Sequence, residues 1–250
     1  MAVEHPLDAL LADPWSTLRL VLGEPLHPGG LAATGELLDR AGVGDGTRLL
    51  DVGCGAGEAV AIASERGARA VGVDVAPGAD ATGVVRGDAG HLPVRDGSVD
   101  VVLAECAICL SDDLDASLRE ARRVLVSTGT SGAGGDGTNG RLALSDVVVE
   151  GTPPALPEPI ARTLCLTGPR SRSRLVERVE DAGFAVGDVR EHREDLLAMR
   201  DRAASRVDYA GLLGSFGDRG RRLLEGVREL ERAVEDGRVG YVSMVATVDG

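Results

Sequence analysis

The chain has no lysine: all 27 of its basic residues are arginine. Aromatic residues make up only 2% of it, so a core has to be assembled from Leu, Val and Ala. Positive charge is scarce as well, with 40 acidic residues and a net charge of −13 over 250 residues. A surface of that sign repels phosphate backbones and argues against a nucleic-acid partner. Two origins fit the missing lysine: the acidic proteome of a possible halophile, or a GC-rich genome that replaces Lys codons by Arg codons. Long hydrophobic runs are lacking, and none reaches the length that spans a bilayer. Residues 1–12 lack the basic start and apolar centre of a secretory signal. The expectation is a soluble cytoplasmic protein with no membrane partner. Its four cysteines, Cys54, Cys106, Cys109 and Cys165, are then expected to be reduced. Oligomeric state is not legible.

What the chain does have is an alternation of apolar runs and helical patterns. Strands are predicted at 48–52, 70–75, from 83 to 86, 100–105, 141–149, 184–189 and 241–248. Helices are predicted at 31–41, 58–66, 114–125, 171–182, 196–204 and 221–234. In the helix at 114–125, Leu114, Leu118, Ala121 and Leu125 share one face, and Arg119, Glu120, Arg122 and Arg123 are assigned to solvent. The connection at 76–82 is too short for an ordinary crossover helix. Residues 127–140, rich in Gly, Ser and Thr, read as a surface loop, and Pro153, Pro154, Pro157 and Pro159 as turns. Alternating strands and helices imply an α/β fold whose ligands sit at the carboxyl ends of the central strands.

The most informative stretch is Leu-Leu-Asp-Val-Gly-Cys-Gly-Ala-Gly at 49–57. An apolar strand ends in Asp51, and Gly53, Gly55 and Gly57 leave backbone bare for a ligand before a helix begins. Asp74 ends the next apolar run, at the spacing where nucleoside folds place a ribose-binding acid. A dinucleotide pattern has glycine where this chain has Glu58, and a carboxylate there fits a pyrophosphate poorly. The ammonium and sulfonium of S-adenosylmethionine (SAM) suit the acids better. Asp88, followed by Ala89, stands where an acid can accept the adenine amino hydrogen. Glu105 is a candidate for holding the methionine ammonium or for acting as a general base, and Asp146 for facing the acceptor. The bland reading of the glycine turn alone is an ordinary tight connection.

These residues, with Gly-Val-Asp-Val at 72–75, the run from Gly87 to Val102 and Glu-Ala-Arg-Arg-Val-Leu at 120–125, resemble the class I SAM-dependent methyltransferases over about 29–149. The resemblance implies a Rossmann-like, doubly wound, seven-stranded, mainly parallel sheet with an antiparallel last strand. It implies SAM as cofactor, with Asp51, Gly53 and Gly55 at the methionine part, Asp74 at the ribose, Asp88 and Ala89 at the adenine, and Cys54, Gly57, Val75 and Glu105 also lining the cofactor. It also implies methyl transfer to a small-molecule acceptor by in-line displacement. One domain is expected, with a cofactor-binding core at 28–149, acceptor-side helices at 150–238 and a final strand at 239–250. The loop at 127–140 stands where the family has a short Pro-Gly-Gly turn.

A closer likeness is to the arsenite methyltransferase group, carried by Glu105-Cys106-Ala107-Ile108-Cys109-Leu110, Ser145-Asp146-Val147 and Cys165-Leu166-Thr167-Gly168. It implies Cys106, Cys109 and Cys165 as thiolates for a trivalent metalloid acceptor, soft ligands for a soft centre. That group has a further thiol on the helix after the glycine turn, and the helix at 58–66 has none. The bland reading of these cysteines is small buried residues. Cys54 itself reads as filler, and no resident metal site is expected. His27 is a candidate lid residue, His91 and His192 read as ordinary, and Arg170, Arg172 and Arg174 as a solvated helix entry. A module that binds the nucleoside without turnover, and a dehydrogenase, are the rival readings.

Overall fold

The computed structural model describes residues 6–23, 25–78, 81–127, 139–167 and 170–249. Most of the loop expected at 127–140, and Gly168 of the stretch 165–168, lie outside those residues. In chain order the helices and strands are α1 (Pro6–Ala12), α2 (Pro14–Leu22), α3 (Gly30–Arg40), β1 (Arg48–Val52), α4 (Glu58–Glu65), β2 (Arg69–Asp74) and β3 (Val84–Arg86). They continue as β4 (Val101–Glu105), α5 (Leu114–Val124), β5 (Arg141–Val149), α6 (Glu158–Thr163), α7 (Arg172–Asp181) and β6 (Phe184–Glu191). The last are α8 (Arg193–Arg206), α9 (Tyr209–Gly214), α10 (Gly217–Glu235) and β7 (Val239–Val248).

The strands form one sheet in the order β3-β2-β1-β4-β5-β7-β6. β1 is parallel to β2 and β4, with Asp51 level with Gly72 and Leu103, and β4 is parallel to β5. The last strand reverses. The amide of Glu150, just past β5, donates to the carbonyl of Arg238, just before β7, and Val248 at the far end of β7 donates to Gly140. The same reversal holds against β6, where His192 donates to Tyr241 and Asp249 to Gly183. This is the α/β sheet that the sequence leads one to expect, with its last strand antiparallel.

The chain divides into two compact units. One comprises Leu31–Asp146, Ser173–Arg190 and Val242–Gly250, and contains the parallel strands. Its core joins Leu37 and Leu38 of α3, and Ala41 just after it, to Leu49, Val101, Leu103 and Ala143 of the sheet and Ala63 of α4. Central parallel strands are covered on both faces, which is why β1 and β4 read as continuous apolar runs. The other unit comprises Met1–Gly30, Val147–Arg172 and Glu191–Tyr241. It gathers Leu7, Leu213, Leu223 and Leu224 into a smaller cluster.

Three features differ from the sequence reading. Prolines start helices here. Pro14 stands in the first turn of α2, where Asp13 caps the helix by accepting the Ser16 amide at 3.0 Å. Pro157 and Pro159 open α6 in the stretch read as turns. An amide missing from a helix's first turn costs no hydrogen bond. The short helices α1 and α9 were not anticipated either. Finally, Glu120 and Arg123 of α5 do not both stand in solvent; their side chains are only 20% and 29% exposed. The clipped 76–82 connection has no helix among its described residues, and Val71 and Val85 at that sheet margin are exposed.

Candidate functional site

β1 delivers Asp51, which is buried, and the chain then turns sharply. Gly53 has φ +77°, and a Cβ there would lie 2.3 Å from the Ala107 Cβ. Its amide donates to the Val73 carbonyl at 2.7 Å, so β2 draws the turn down against the sheet. Gly55 has φ +53°, and a Cβ there would meet nothing within 4 Å. The first glycine is demanded by close packing, and the second by conformation, with open space above it. Gly57 follows as the N-cap of α4.

Three carboxylates converge on this crook. Asp74, at the end of β2, accepts the Gly55 amide on Oδ2 at 2.9 Å and the Ala76 amide on Oδ1 at 2.8 Å. Each oxygen keeps a lone pair for a further donor. Burial pushes the Asp51 carboxyl well above its usual range, and the charges of Glu105 and Asp74 push it further. Glu105, at the end of β4, accepts the Thr34 hydroxyl on Oε2 at 2.9 Å. Thr34 is buried and was not singled out in the sequence. Its signal was a polar residue at helical spacing from Leu37, Leu38 and Ala41.

Cys54 is buried beneath the crook, and a Cβ on Gly72 would lie 2.4 Å from its Sγ. Burial, with Asp51 and Asp74 beside it, pushes its thiol up to about 12. It fills space and is no nucleophile at neutral pH. Val75 is exposed beside Asp74. Asp88 is exposed and shapes a tight turn: Oδ1 accepts the Gly90 amide at 2.7 Å, and its carbonyl accepts the His91 amide at 3.0 Å. Ala89 is half-buried within that turn.

The remaining candidates are placed less tightly. Cys106 follows Glu105 with φ +49°, a strained backbone for a residue with a side chain. Its amide donates to the Ser145 carbonyl at 2.9 Å. Cys109 is buried in the 3-10 turn Ile108–Leu110, and Asp146 is fully buried in β5. Cys165 is buried after α6, in the other unit, with φ +59°. Cys54 and Cys106 are reduced thiols, whereas Cys109 and Cys165 are not, which corrects the expectation of four reduced cysteines. His27 Nδ1 lies 3.2 Å from the Pro28 carbonyl. His192 lies 3.4 Å from Asp195 and stacks at a tilt on Tyr241. Arg172 pairs with Glu191 and Arg174 with Glu177, as a solvated helix entry would.

A family profile described as a methyltransferase domain matches residues 50–131, the stretch that holds the crook and all three converging carboxylates. The chain is 30% identical to methyltransferase GfsG of Streptomyces halstedii over 173 residues, 63% of this chain and 57% of that one. It is 29% identical to an arsenite methyltransferase of Halobacterium salinarum over 184 residues, 66% of this chain and 44% of that one. The chain thus spans about half the length of these curated relatives. Among solved structures it resembles the [4+2]-cyclase SpnF, with a TM-score of 0.68 at 19% identity, covering 97% of this chain and 94% of that one. A Haemonchus contortus phosphoethanolamine N-methyltransferase 2, in complex with phosphomonomethylethanolamine and S-adenosylhomocysteine, matches with a TM-score of 0.67 at 19% identity, covering 96% and 59%. At such identities the solved structures establish the fold.

Proposed function

We propose that the chain is a class I SAM-dependent methyltransferase that transfers the methyl group of SAM to a small-molecule acceptor, a reading supported by the methyltransferase-domain match over residues 50–131. The observation that carries this reading is the convergence of Asp51, Asp74 and Glu105 on an open glycine crook. Burial raises the Asp51 carboxyl, the charges of Glu105 and Asp74 add to it, and such a cluster of acids suits a cationic ligand. SAM brings both an ammonium and a sulfonium, whereas the pyrophosphate of NAD would be repelled. When bound, SAM supplies a methyl group already activated for in-line displacement.

The chain's own part is to bind and align. Asp74 accepts the ribose hydroxyls with Val75 beside it, Asp51 and Glu105 face the methionine end, and Asp88 with Ala89 frames the base. Thr34 fixes the Glu105 carboxylate. Glu105, and Asp146 in β5, are the carboxylates offered to an acceptor that must lose a proton. Much of the rate then comes from alignment and exclusion of water. We assign residues 150–238 to the acceptor side of a single methyltransferase domain. The acidic, lysine-free composition supports a cytoplasmic, high-salt setting, and no helix among the described residues is long and apolar enough to cross a membrane.

Titration calorimetry with SAM, S-adenosylhomocysteine and NAD in parallel tests the cofactor. Binding of the first two and not the third is expected; binding of NAD alone sinks the reading. Product must be measured as well, since one structural neighbour is described as a cyclase. A second reading, a trivalent metalloid as acceptor on Cys106, Cys109 and Cys165, is favoured by the likeness to the Halobacterium relative. It requires the Cys109 and Cys165 sulfurs in the reduced state. Arsenite-dependent turnover under reductant, abolished in Cys106→Ser and in Cys165→Ser, is its expected signature. Unchanged turnover in both removes it.

A further inference from the structure

The connection from β3 to β4 contains no helix, yet it carries the Asp88–His91 turn assigned to the base. Its shape is imposed from α5. Arg123 Nε donates to Glu120 Oε1 at 2.7 Å and Nη2 to Oε2 at 2.7 Å, a two-pronged pair one helical turn apart. The same guanidinium reaches off the helix. Nη2 donates to the Leu92 carbonyl at 3.1 Å, and Nη1 donates to the Val94 carbonyl at 2.8 Å and to Asp96 Oδ1 at 2.6 Å. Glu120 Oε2 in turn accepts the Leu92 amide at 2.8 Å. Both backbone groups of Leu92 are therefore held by one side-chain pair, and Leu92 itself is buried.

The hold passes to the turn by two short routes. Leu92 follows His91 directly, and the His91 amide closes the turn on Asp88. Pro93 packs on Gly87, where a Cβ would lie 3.0 Å from the Pro93 Cδ, and the Gly87 amide donates to the Asp74 carbonyl at 3.0 Å. An isolated helix-surface pair three residues apart is worth a few tenths of a kcal/mol. A pair meant only to support α5 would have no use for loop carbonyls.

We propose that Arg123 and Glu120 are positioning residues for nucleoside recognition: they clamp the backbone at 92–94 and so set the Asp88–His91 turn against the adenine. The inference rests on the function proposed above. Arg123 and Glu120 touch no substrate; they act through Leu92, Pro93 and the turn.

The test compares binding of S-adenosylhomocysteine and S-inosylhomocysteine, which differ at the amino group that Asp88 is assigned to read. The variants are Arg123→Met, Arg123→Lys and Glu120→Gln, with Arg119→Met as a control on the exposed face of α5. The wild type and Arg119→Met are expected to prefer the adenosyl ligand. Arg123→Met is expected to lose about tenfold of that preference, the scale of one or two hydrogen bonds, with the inosyl affinity unchanged. Arg123→Lys keeps the charge without the fork and is expected to recover little. Hydrogen exchange at the Leu92 and His91 amides is expected to rise together in these variants. Folded variants with an unchanged ligand ratio, or with both ligands weakened equally, overturn the proposal. A wild type that binds neither ligand overturns the proposed function itself, and this inference with it. Should Arg123→Met fail to fold, Glu120→Gln carries the same comparison.

Discussion

The two units of the chain are held together in different ways. In the unit with the parallel strands, α3, α4 and the sheet bury a continuous apolar core, and charged side chains that approach it do so with a purpose. In the other unit the cluster around Leu213, Leu223 and Leu224 is small, and the surrounding helices carry exposed ion pairs such as Arg219 with Asp8 and Arg200 with Glu235. Exposed pairs contribute little once solvent and side-chain entropy are counted. Precision therefore belongs to the first unit, where an acid cluster has to be held without collapsing.

The sharpest way to break this comparison is to overfill each unit at its tightest glycine. Gly53→Ala places a methyl group on Ala107 in a left-handed backbone and should cost about 3 kcal/mol. Gly220→Ala drives a Cβ into the Leu213 carbonyl of the second unit. Thermal melting should show the larger loss for Gly53→Ala if the first unit is the rigid one. A larger loss at Gly220 reverses the ranking.

Next in size, Asp74→Ala should weaken SAM binding by about 1–3 kcal/mol, the scale of hydrogen bonds to a charged group. Calorimetry reads this directly, and equal affinity places the ribose elsewhere. Smaller is the effect of Asp51→Asn on the unliganded protein. A carboxyl whose pKa is raised on folding binds more protons folded than unfolded. Its cost to stability is absent below the ordinary value of 3.8 and grows as pH rises toward the folded value. Asp51→Asn should accordingly melt higher than the wild type at neutral pH, with the gap closing in acid, while binding SAM more weakly. A gap that widens in acid contradicts the assignment. The least effect is expected from salt. Raising it to ~1 M screens exposed pairs and, on the high-salt reading, should raise the melting temperature modestly; stability independent of molar salt ends that reading.

Much of the first unit was legible because its chemistry needs rare residues in fixed places. Gly53 and Gly55 stand out since few other residues tolerate that backbone, and Asp51 and Asp74 since acids rarely end apolar runs. Strands β1 and β5 were read to the residue, since buried strands are apolar over most of their length. The second unit was harder. Pro157 and Pro159 look like breaks in a sequence and are a helix start in the structure. Thr34 and Arg123 were missed for a common reason: a polar residue on a helix is assigned to solvent by default, and only tertiary contact reveals the carboxylate or carbonyl it serves. The oxidised state of Cys109 and Cys165 has no signature in spacing at all.

Asp74 has one further consequence. Its two oxygens are tied by the amides of Gly55 and Ala76, both belonging to the chain itself. The acid is aimed in advance, so on the function proposed above a nucleoside arriving there finds its counterpart preset rather than summoned. Capture on such terms forfeits little freedom of motion, and encounter, not rearrangement, should set how fast the ligand is taken up.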